Sequence, residues 1–341
     1  MNAPSRVDLP LVSVVMPVRN EAGYLPQAMA ALQAQDYPRD RLEILVVDGG
    51  STDRTRSLVE ELARSDPRIR LLSGEGVNCP AAMNVGTRAA RGEFVAKVDG
   101  HGYVGPGYFS TAVRHLQANP RLGCVGGVVD PIASDQAAEC LAAARFSRFG
   151  VGGGLYGTKH ASPHLTSTVQ CGVYRKAVLQ EAGGFDESLQ FGEDEELNWR
   201  LQRAGQIILL DPEIRFHYYP RATPRQLFRQ YYAYGKARVR VLRKDPSFLR
   251  LRHLVPAAMV AATAAGAVIG LLAGSVPLAV AVPVLYLGFV AAGAAKIAQA
   301  RRLRAPHLVA MGLICLHWGY GLGMCTGAVR LVLPGRTASA G

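Results

Sequence analysis

The sequence predicts an α/β domain built on a doubly wound, mostly parallel sheet, followed by C-terminal transmembrane helices. Three observations carry this. Short apolar runs alternate with segments of helical spacing over roughly the first 220 residues. The apolar runs are continuous rather than alternating, which marks strands covered on both faces and hence parallel. The last third holds three nearly uncharged segments of spanning length.

The elements follow in order. Residues 12–16, VSVVM, read as the first buried strand, and residues 24–35 carry helical spacing. Residues 42–47, LEILVV, form the second strand. Ser51, Thr52 and Asp53 offer cap chemistry for a helix over residues 51–63. Residues 69–72 make a short third strand, 81–90 a helix of small residues, and 93–98 a fourth strand. No internal repeat or low-complexity tract interrupts them.

Residues 254–273 and 276–295 carry no charge, and 308–329 has only His317 as an ionisable group besides two cysteines and a tyrosine. Three buried helices of a soluble domain are the alternative, but three consecutive uncharged segments of this length are rare in soluble chains. Their alanines and glycines suit close helix packing in lipid. Lys236, Arg238, Arg240, Arg243, Lys244, Arg250 and Arg252 precede the first segment, and Lys296, Arg301, Arg302 and Arg304 separate the second from the third. The positive-inside rule then puts the N-terminal domain in the cytoplasm, a short hairpin outside, a basic loop inside and the C-terminus outside. Arg330 and Arg336 fall on that outer side, so the third segment fits the rule least well. The expected layout is a cytoplasmic domain over 1–222, an amphipathic interface helix and basic linker over 223–253, spans within 254–330, and a tail over 331–341.

The chain has 38 Lys and Arg against 26 Asp and Glu, a net charge of +12. Such a balance suits nucleic acid, anionic lipid or an anionic substrate. Residues flanking the spans account for much of it, so nucleic acid is not needed. Six cysteines show no CxxC and no paired spacing, which argues against a zinc knuckle or a disulfide framework and for a reducing compartment. MNAPSRVDLP contains no apolar signal region, and the next apolar run is short and holds Pro17.

Chemistry concentrates where strands end. The first strand runs into Pro17, Arg19, Asn20 and Glu21; the second into Asp48, Gly49, Gly50, Ser51, Thr52 and Asp53; the fourth, through KVDGHG, into Asp99 and His101. Ligands in open α/β sheets bind outside the carboxyl ends of the strands. Each stretch also reads as an ordinary turn or helix cap; three acidic, Gly-rich ends in one half-domain point to a site. No GxGxxG follows the first strand, which disfavours a dinucleotide fold. GGGLYGTK at 152–159 has Thr before Lys and no strand before it, so it is a Gly-rich flap or a plain linker rather than a phosphate loop. GGFDE at 183–187 and GEDEEL at 192–197 place six acids within 186–196. Crowded carboxylates raise one another's pKa, which suits a general base, and acids are equally at home in a helix's first turn.

Together VSVVMPVRNE, VVDGGSTDRT, DGH, GGFDE and GEDEELNWR resemble the inverting family-2 glycosyltransferases of GT-A fold, over roughly residues 11–220. With the C-terminal spans, the likeness is to membrane-anchored enzymes of polysaccharide assembly that add a β-glucosyl unit to a lipid-linked sugar. The resemblance implies a multi-pass protein of the inner cell membrane. It implies a nucleotide-sugar donor, UDP-glucose being typical, a polyprenyl-linked acceptor and a divalent metal, Mn²⁺ or Mg²⁺. Pro17, Glu21 and Asp48 match positions that hold the base and ribose, and Asp99 matches the first Asp of the family's DxD. Asp194, in the Glu193–Asp194 pair, matches the catalytic base, and Asp186 lies in the acceptor-side loop. His217 falls where relatives carry a further metal or diphosphate ligand; a structural histidine is the other reading. Gly49 replaces the second Asp of DDGS, and His101 the second Asp of DxD. As a ligand, His101 would favour Mn²⁺; alternatively Asp99 alone recruits the metal.

Thr223, Pro224 and Gln226 form a capping-box pattern before an aromatic, basic helix suited to the membrane interface and anionic lipid. Gln226 to Gln230 resembles the QxxRW motif of processive relatives, with Gln226 and Arg229 retained and Gln230 in place of Trp. The resemblance thus implies single additions. Two rival functions stay open: transfer to polyprenyl phosphate itself, and a non-catalytic nucleotide-sugar-binding membrane subunit.

Overall fold

The structure is a computed structural model that describes residues 9–150 and 162–332. The Gly-rich stretch at 152–159 and most of the expected tail lie outside the described residues. Among the described residues, 9–132 and 162–219 form one compact unit, and 133–150 with 220–332 form another.

The first unit is a sheet of nine strands in the order β3-β2-β1-β4-β8-β6-β9-β5, with β7 also on β9. The strands are β1 Val12–Val18, β2 Leu42–Asp48, β3 Ile69–Ser73, β4 Phe94–Lys97, β5 Gly102–Val104, β6 Leu122–Pro131, β7 His164–Leu165, β8 Val173–Arg175 and β9 Ile207–Tyr218. β1, β2, β3 and β4 pair in parallel as expected, whereas β8 pairs antiparallel with both β4 and β6, and β9 runs parallel to β6. β1, β2 and β4 are almost wholly buried because helices cover both faces.

The helices of this unit are α1 Leu25–Gln33, α2 Thr55–Ser65, α3 Cys79–Ala89, α4 Tyr108–Ala118, α6 Lys176–Glu181 and α7 Glu193–Arg203. Small residues let α3 lie close on the sheet: a Cβ on Gly86 would run into Val15. One expectation is corrected at α2. Ser51, Thr52 and Asp53 precede the helix rather than open it; Arg54 stands at the N-cap with no side-chain cap bond. Ser51 and Thr52 bond to the neighbouring strand ends, while Asp53 accepts from the amide of Thr55, the first residue of the helix, and from the Ala22 amide.

The second unit begins with a segment placed by expectation in the sheet domain. α5, Gln136–Arg145, is capped by Asp135 and buries Cys140, Leu141 and Ala144 among the long C-terminal helices rather than on the sheet. α8, Pro224–Lys244, is followed by α9 Leu251–Leu272, α10 Val276–Arg301 and α11 Pro306–Val332. The hydroxyl half of the predicted capping box is formed, with Thr223 Oγ1 accepting from the Gln226 amide at 3.3 Å. α9, α10 and α11 are long and apolar enough to cross a membrane. Leu271, Leu272 and Leu285 are 82%, 83% and 75% exposed, so protein does not cover these apolar faces. Such a surface suggests membrane association. No disulfide forms among the described cysteines.

Candidate active site

The carboxyl ends of β1 and β2 are tied together by their own polar side chains. Asn20, at a left-handed φ of 59°, accepts from the Thr52 amide at 2.8 Å through its side-chain oxygen. Its own amide donates to Ser51 Oγ at 3.0 Å, and the Glu21 amide donates to Thr55 Oγ1 at 2.8 Å. Asp53 accepts from Thr55 and from the Ala22 amide, which lowers its pKa. Asp48 is buried at the strand end and accepts from the Ser51 amide at 3.0 Å, with Arg56 3.8 Å away. Ser51 and Thr52 therefore tie the two loops together at the sheet edge, and Asp53 joins them to the first residue of α2.

β4 ends against the same edge. A Cβ on Gly100 would press on Val18 at 2.9 Å and on Glu21 at 3.2 Å, so glycine permits this approach. His101 Nδ1 then lies 3.3 Å from Glu21 Oε1. Burial alone would push the imidazole down, but the Glu21 hydrogen bond and the Asp99 charge outweigh it and hold its pKa up. Burial works the other way on Asp99, where Lys97 and His101 prevail and keep the carboxyl low. Pro17, Glu21, Asp48, Asp99 and His101 thus share one sheet edge.

Lys97, the last residue of β4, is 1% exposed and sits among three carboxylates. Its Nζ donates to Glu193 Oε1 at 2.6 Å and to Asp194 Oδ2 at 2.8 Å, and lies 3.6 Å from Asp99 Oδ1. Desolvation would lower the lysine's pKa; the carboxylates overcome it and keep the ammonium charged. Gly192, at φ 81°, turns the chain so that Glu193 and Asp194 enter the first turn of α7. Desolvation pushes the Asp194 carboxyl up to about 7, opposed by Lys97 and aided by Glu193 and Asp99. Asp194 Oδ1 is buried and has no hydrogen-bond partner among the described residues. Sequence reasoning had passed over Lys97. The available signal was a charged side chain inside an otherwise apolar strand, since lysine is almost never fully buried unless paired.

The loop carrying Asp186 is stapled to α3 by two asparagines that were also missed. Asn84 donates to Phe185 O and Glu187 Oε1, both at 2.8 Å, and accepts from the Phe185 amide. Asn78 donates to Glu187 O at 2.7 Å. Gly183 and Gly184 both take left-handed φ, which glycine alone adopts readily. Asp186 accepts from Ser188 within this loop. Gln226 and Arg229 are exposed at the start of α8, in the second unit.

Asp99 and His101 suit a divalent ion: an ionised carboxylate beside an imidazole whose Nδ1 is oriented by a second carboxylate, Glu21. His217 lies elsewhere, against Tyr103 on the neighbouring strand. Side chains alternate along β9, so Tyr218 meets His101, with centroids 5.3 Å apart, while His217 stacks on Tyr103 at 4.7 Å. Among the described residues no three His, Cys, Asp or Glu side chains group as a metal cage.

The family model "Glycosyl transferase family 2" matches residues 13–139. The succinoglycan biosynthesis protein ExoA of Rhizobium meliloti (strain 1021) is 30% identical over 260 residues, covering 76% of this chain and 78% of that protein. The chain belongs to glycosyl transferase family 2. This family-2 glycosyltransferase is also 27% identical, over 68% of its length and 74% of the other's, to a Methanococcus voltae enzyme. That protein is named dolichyl N-acetyl-alpha-D-glucosaminyl phosphate 3-beta-D-2,3-diacetamido-2,3-dideoxy-beta-D-glucuronosyltransferase. Among solved structures, the mannosyltransferase PcManGT of Pyrobaculum calidifontis, in complex with GDP-Man and Mn²⁺, aligns with a TM-score of 0.63 at 23% identity. The alignment covers 98% of this chain and 90% of that one, and it establishes the GT-A fold. S. aureus TarS 1-349 with UDP-GlcNAc aligns at 0.53 over 94% and 92%.

Proposed function

We propose that this glycosyltransferase moves a hexose from a nucleotide-sugar, UDP-glucose first among donors, to a hydroxyl of a lipid-linked saccharide, with inversion. It does so at the cytoplasmic face of the inner membrane during polysaccharide synthesis. One observation carries the chemistry: Asp194 is held next to the donor-side strand end with its carboxyl near 7, where a general base is most effective.

The transfer is an in-line displacement. The acceptor oxygen attacks the anomeric carbon, Asp194 takes its proton, and the sugar–phosphate bond breaks with its electron pair on the departing nucleoside diphosphate. An α-linked donor gives a β-linked product, and no covalent intermediate is needed. Pro17, Glu21 and Asp48 bind the nucleoside. Asp99 and His101 would hold a divalent ion, Mn²⁺ in preference to Mg²⁺, which supplies Lewis-acid stabilisation of the leaving diphosphate.

The names of the relatives support the acceptor class, since one belongs to succinoglycan biosynthesis and the other acts on a dolichyl-linked sugar. The apolar exposed faces of α9 and α10 support a membrane location. Two neighbours bound to GDP-Man and UDP-GlcNAc support a nucleotide-sugar donor. The α8 helix, basic and aromatic, would lie in the interface beside anionic lipid, and it carries Gln226 and Arg229, the positions that the resemblance assigns to the acceptor.

The test is product analysis. Membranes containing the protein are incubated with radiolabelled UDP-, GDP- and dTDP-sugars, and the lipid extract is hydrolysed under mild acid. The proposal expects the label in a saccharide with a β-glycosidic bond. Label released as free monosaccharide from a phosphate ester would instead assign transfer to polyprenyl phosphate.

A further inference from the structure

The chemistry above requires Asp194 but leaves its two oxygens equivalent, and the structure does not. Oδ2 accepts a charged hydrogen bond from Lys97 at 2.8 Å, whereas Oδ1 is buried and has no partner among the described residues. We propose that Lys97 is the positioning residue of the transfer step, fixing Oδ2 and thereby presenting Oδ1 as the atom that takes the acceptor's proton. This assignment rests on Asp194 being the base.

Three physical points support it. An oxygen that accepts from an ammonium is the less basic of the two, so the proton goes to the other. A buried polar atom without a partner is uncommon in a native structure, and it persists where something else satisfies it in use. An acceptor hydroxyl is the donor that the reaction itself brings to such an atom. During transfer the hydroxyl proton passes to Oδ1 as the acceptor oxygen bonds to the anomeric carbon and the bond to the leaving diphosphate breaks.

The choice of lysine is also informative. Its compact ammonium offers three donors from one point, and Glu193, Asp194 and Asp99 surround that point at 2.6, 2.8 and 3.6 Å. A guanidinium keeps the charge but spreads its donors in a planar fork. Lys97 also joins the end of β4, which carries Asp99, to the first turn of α7, which carries Asp194. The donor-side strand and the base are thereby locked in register by one side chain.

The experiment uses the full chain in membranes with UDP-glucose, or with whichever sugar of the UDP, GDP and dTDP panel the wild type turns over. K97M, K97R, D194N and the double variant K97M/D194N are compared for kcat, donor KM and UDP binding. K97M and D194N should each lower kcat by about 100-fold or more, with donor KM within about threefold of wild type. The double variant should be no slower than D194N alone, because Lys97 acts through Asp194. K97R should fall about tenfold or more, since charge without the point geometry is insufficient. A wild-type kcat in K97M or in K97R overturns the assignment, as does a double variant whose loss multiplies the two single losses. If K97M does not bind UDP and so has not folded, K97R decides. Full activity in D194N would remove the base itself, a failure distinct from that of Lys97.

Discussion

The carboxyl of Asp194 near 7 has a direct kinetic consequence. With Asp194 as the proposed base, which works only when deprotonated, the rate should rise with pH through this range and level off above it. At about pH 6, one unit below, roughly a tenth of the enzyme carries the ionised base, and the rate should be about a tenth of its plateau. The informative perturbation is E193Q, which removes a like charge and leaves Lys97 less divided. Glu193 Oε1 and Asp194 Oδ2 bind the same nitrogen at 2.6 and 2.8 Å, so at most about 5.4 Å separates them. At that largest separation and an effective dielectric of about 20, the repulsion is about 3 kcal/mol, equivalent to roughly two pH units. The acid limb of E193Q should therefore move down by about one to two units. The assay is the initial rate of labelled sugar transfer at saturating donor, from about pH 5 to about pH 9, for wild type and E193Q in parallel. A wild-type rate that is flat between about pH 6 and about pH 8, or a limb that moves upward in E193Q, would refute the reasoning.

Further outcomes are expected elsewhere. Glu43, buried at the opposite end of the sheet, accepts from Ser13 Oγ at 2.5 Å and from the Arg91 amide at 2.6 Å. Burial raises its pKa, but these bonds and the Arg91 charge win and lower it. Its stabilisation is thus full above the unfolded carboxyl range and is lost as pH falls through the lower folded value. E43Q should lower the melting temperature at neutral pH, by the equivalent of about 2–4 kcal/mol, and lose less than wild type on acidification. G127A should unfold the sheet or destabilise it by at least about 3 kcal/mol in a thermal melt, because the new Cβ meets the Ile214 carbonyl oxygen and backbone cannot yield. H101D should shift the ratio of Mn²⁺- to Mg²⁺-supported transfer toward Mg²⁺; an unchanged ratio would mean that His101 is not a ligand.

The strand ends were legible because a parallel sheet gathers them at one edge, so acids and glycines after three apolar runs already located Glu21, Asp48 and Asp99. What that pattern could not convey was contact at long range. Asn84 and the loop it staples lie 101 residues apart in the chain, and nothing local in either marks the pairing. β5, β7 and β8 are too short for any periodicity to reveal. β9 contains Asp211 and Pro212 in its middle, where they read as a break, and its register with β6 does shift between Gly127 and Val128. The alanine-rich α5 has no sequence feature that tells a sheet from a helical partner. For His217 the sequence left a ligand and a structural role open for a simpler reason: family position fixes the strand, but alternation along the strand decides which way the ring faces.

The central claim is that Asp194 is the base of a metal-assisted sugar transfer. The measurement that tests it most directly is incorporation of labelled sugar from UDP-glucose, or from the panel donor the wild type uses, into the lipid extract of membranes. Wild type and D194N are compared with Mn²⁺ and with EDTA, and UDP binding is measured alongside. The predicted result is metal-dependent incorporation that falls by about 100-fold or more in D194N while UDP still binds. Incorporation by D194N at the wild-type rate would contradict the account.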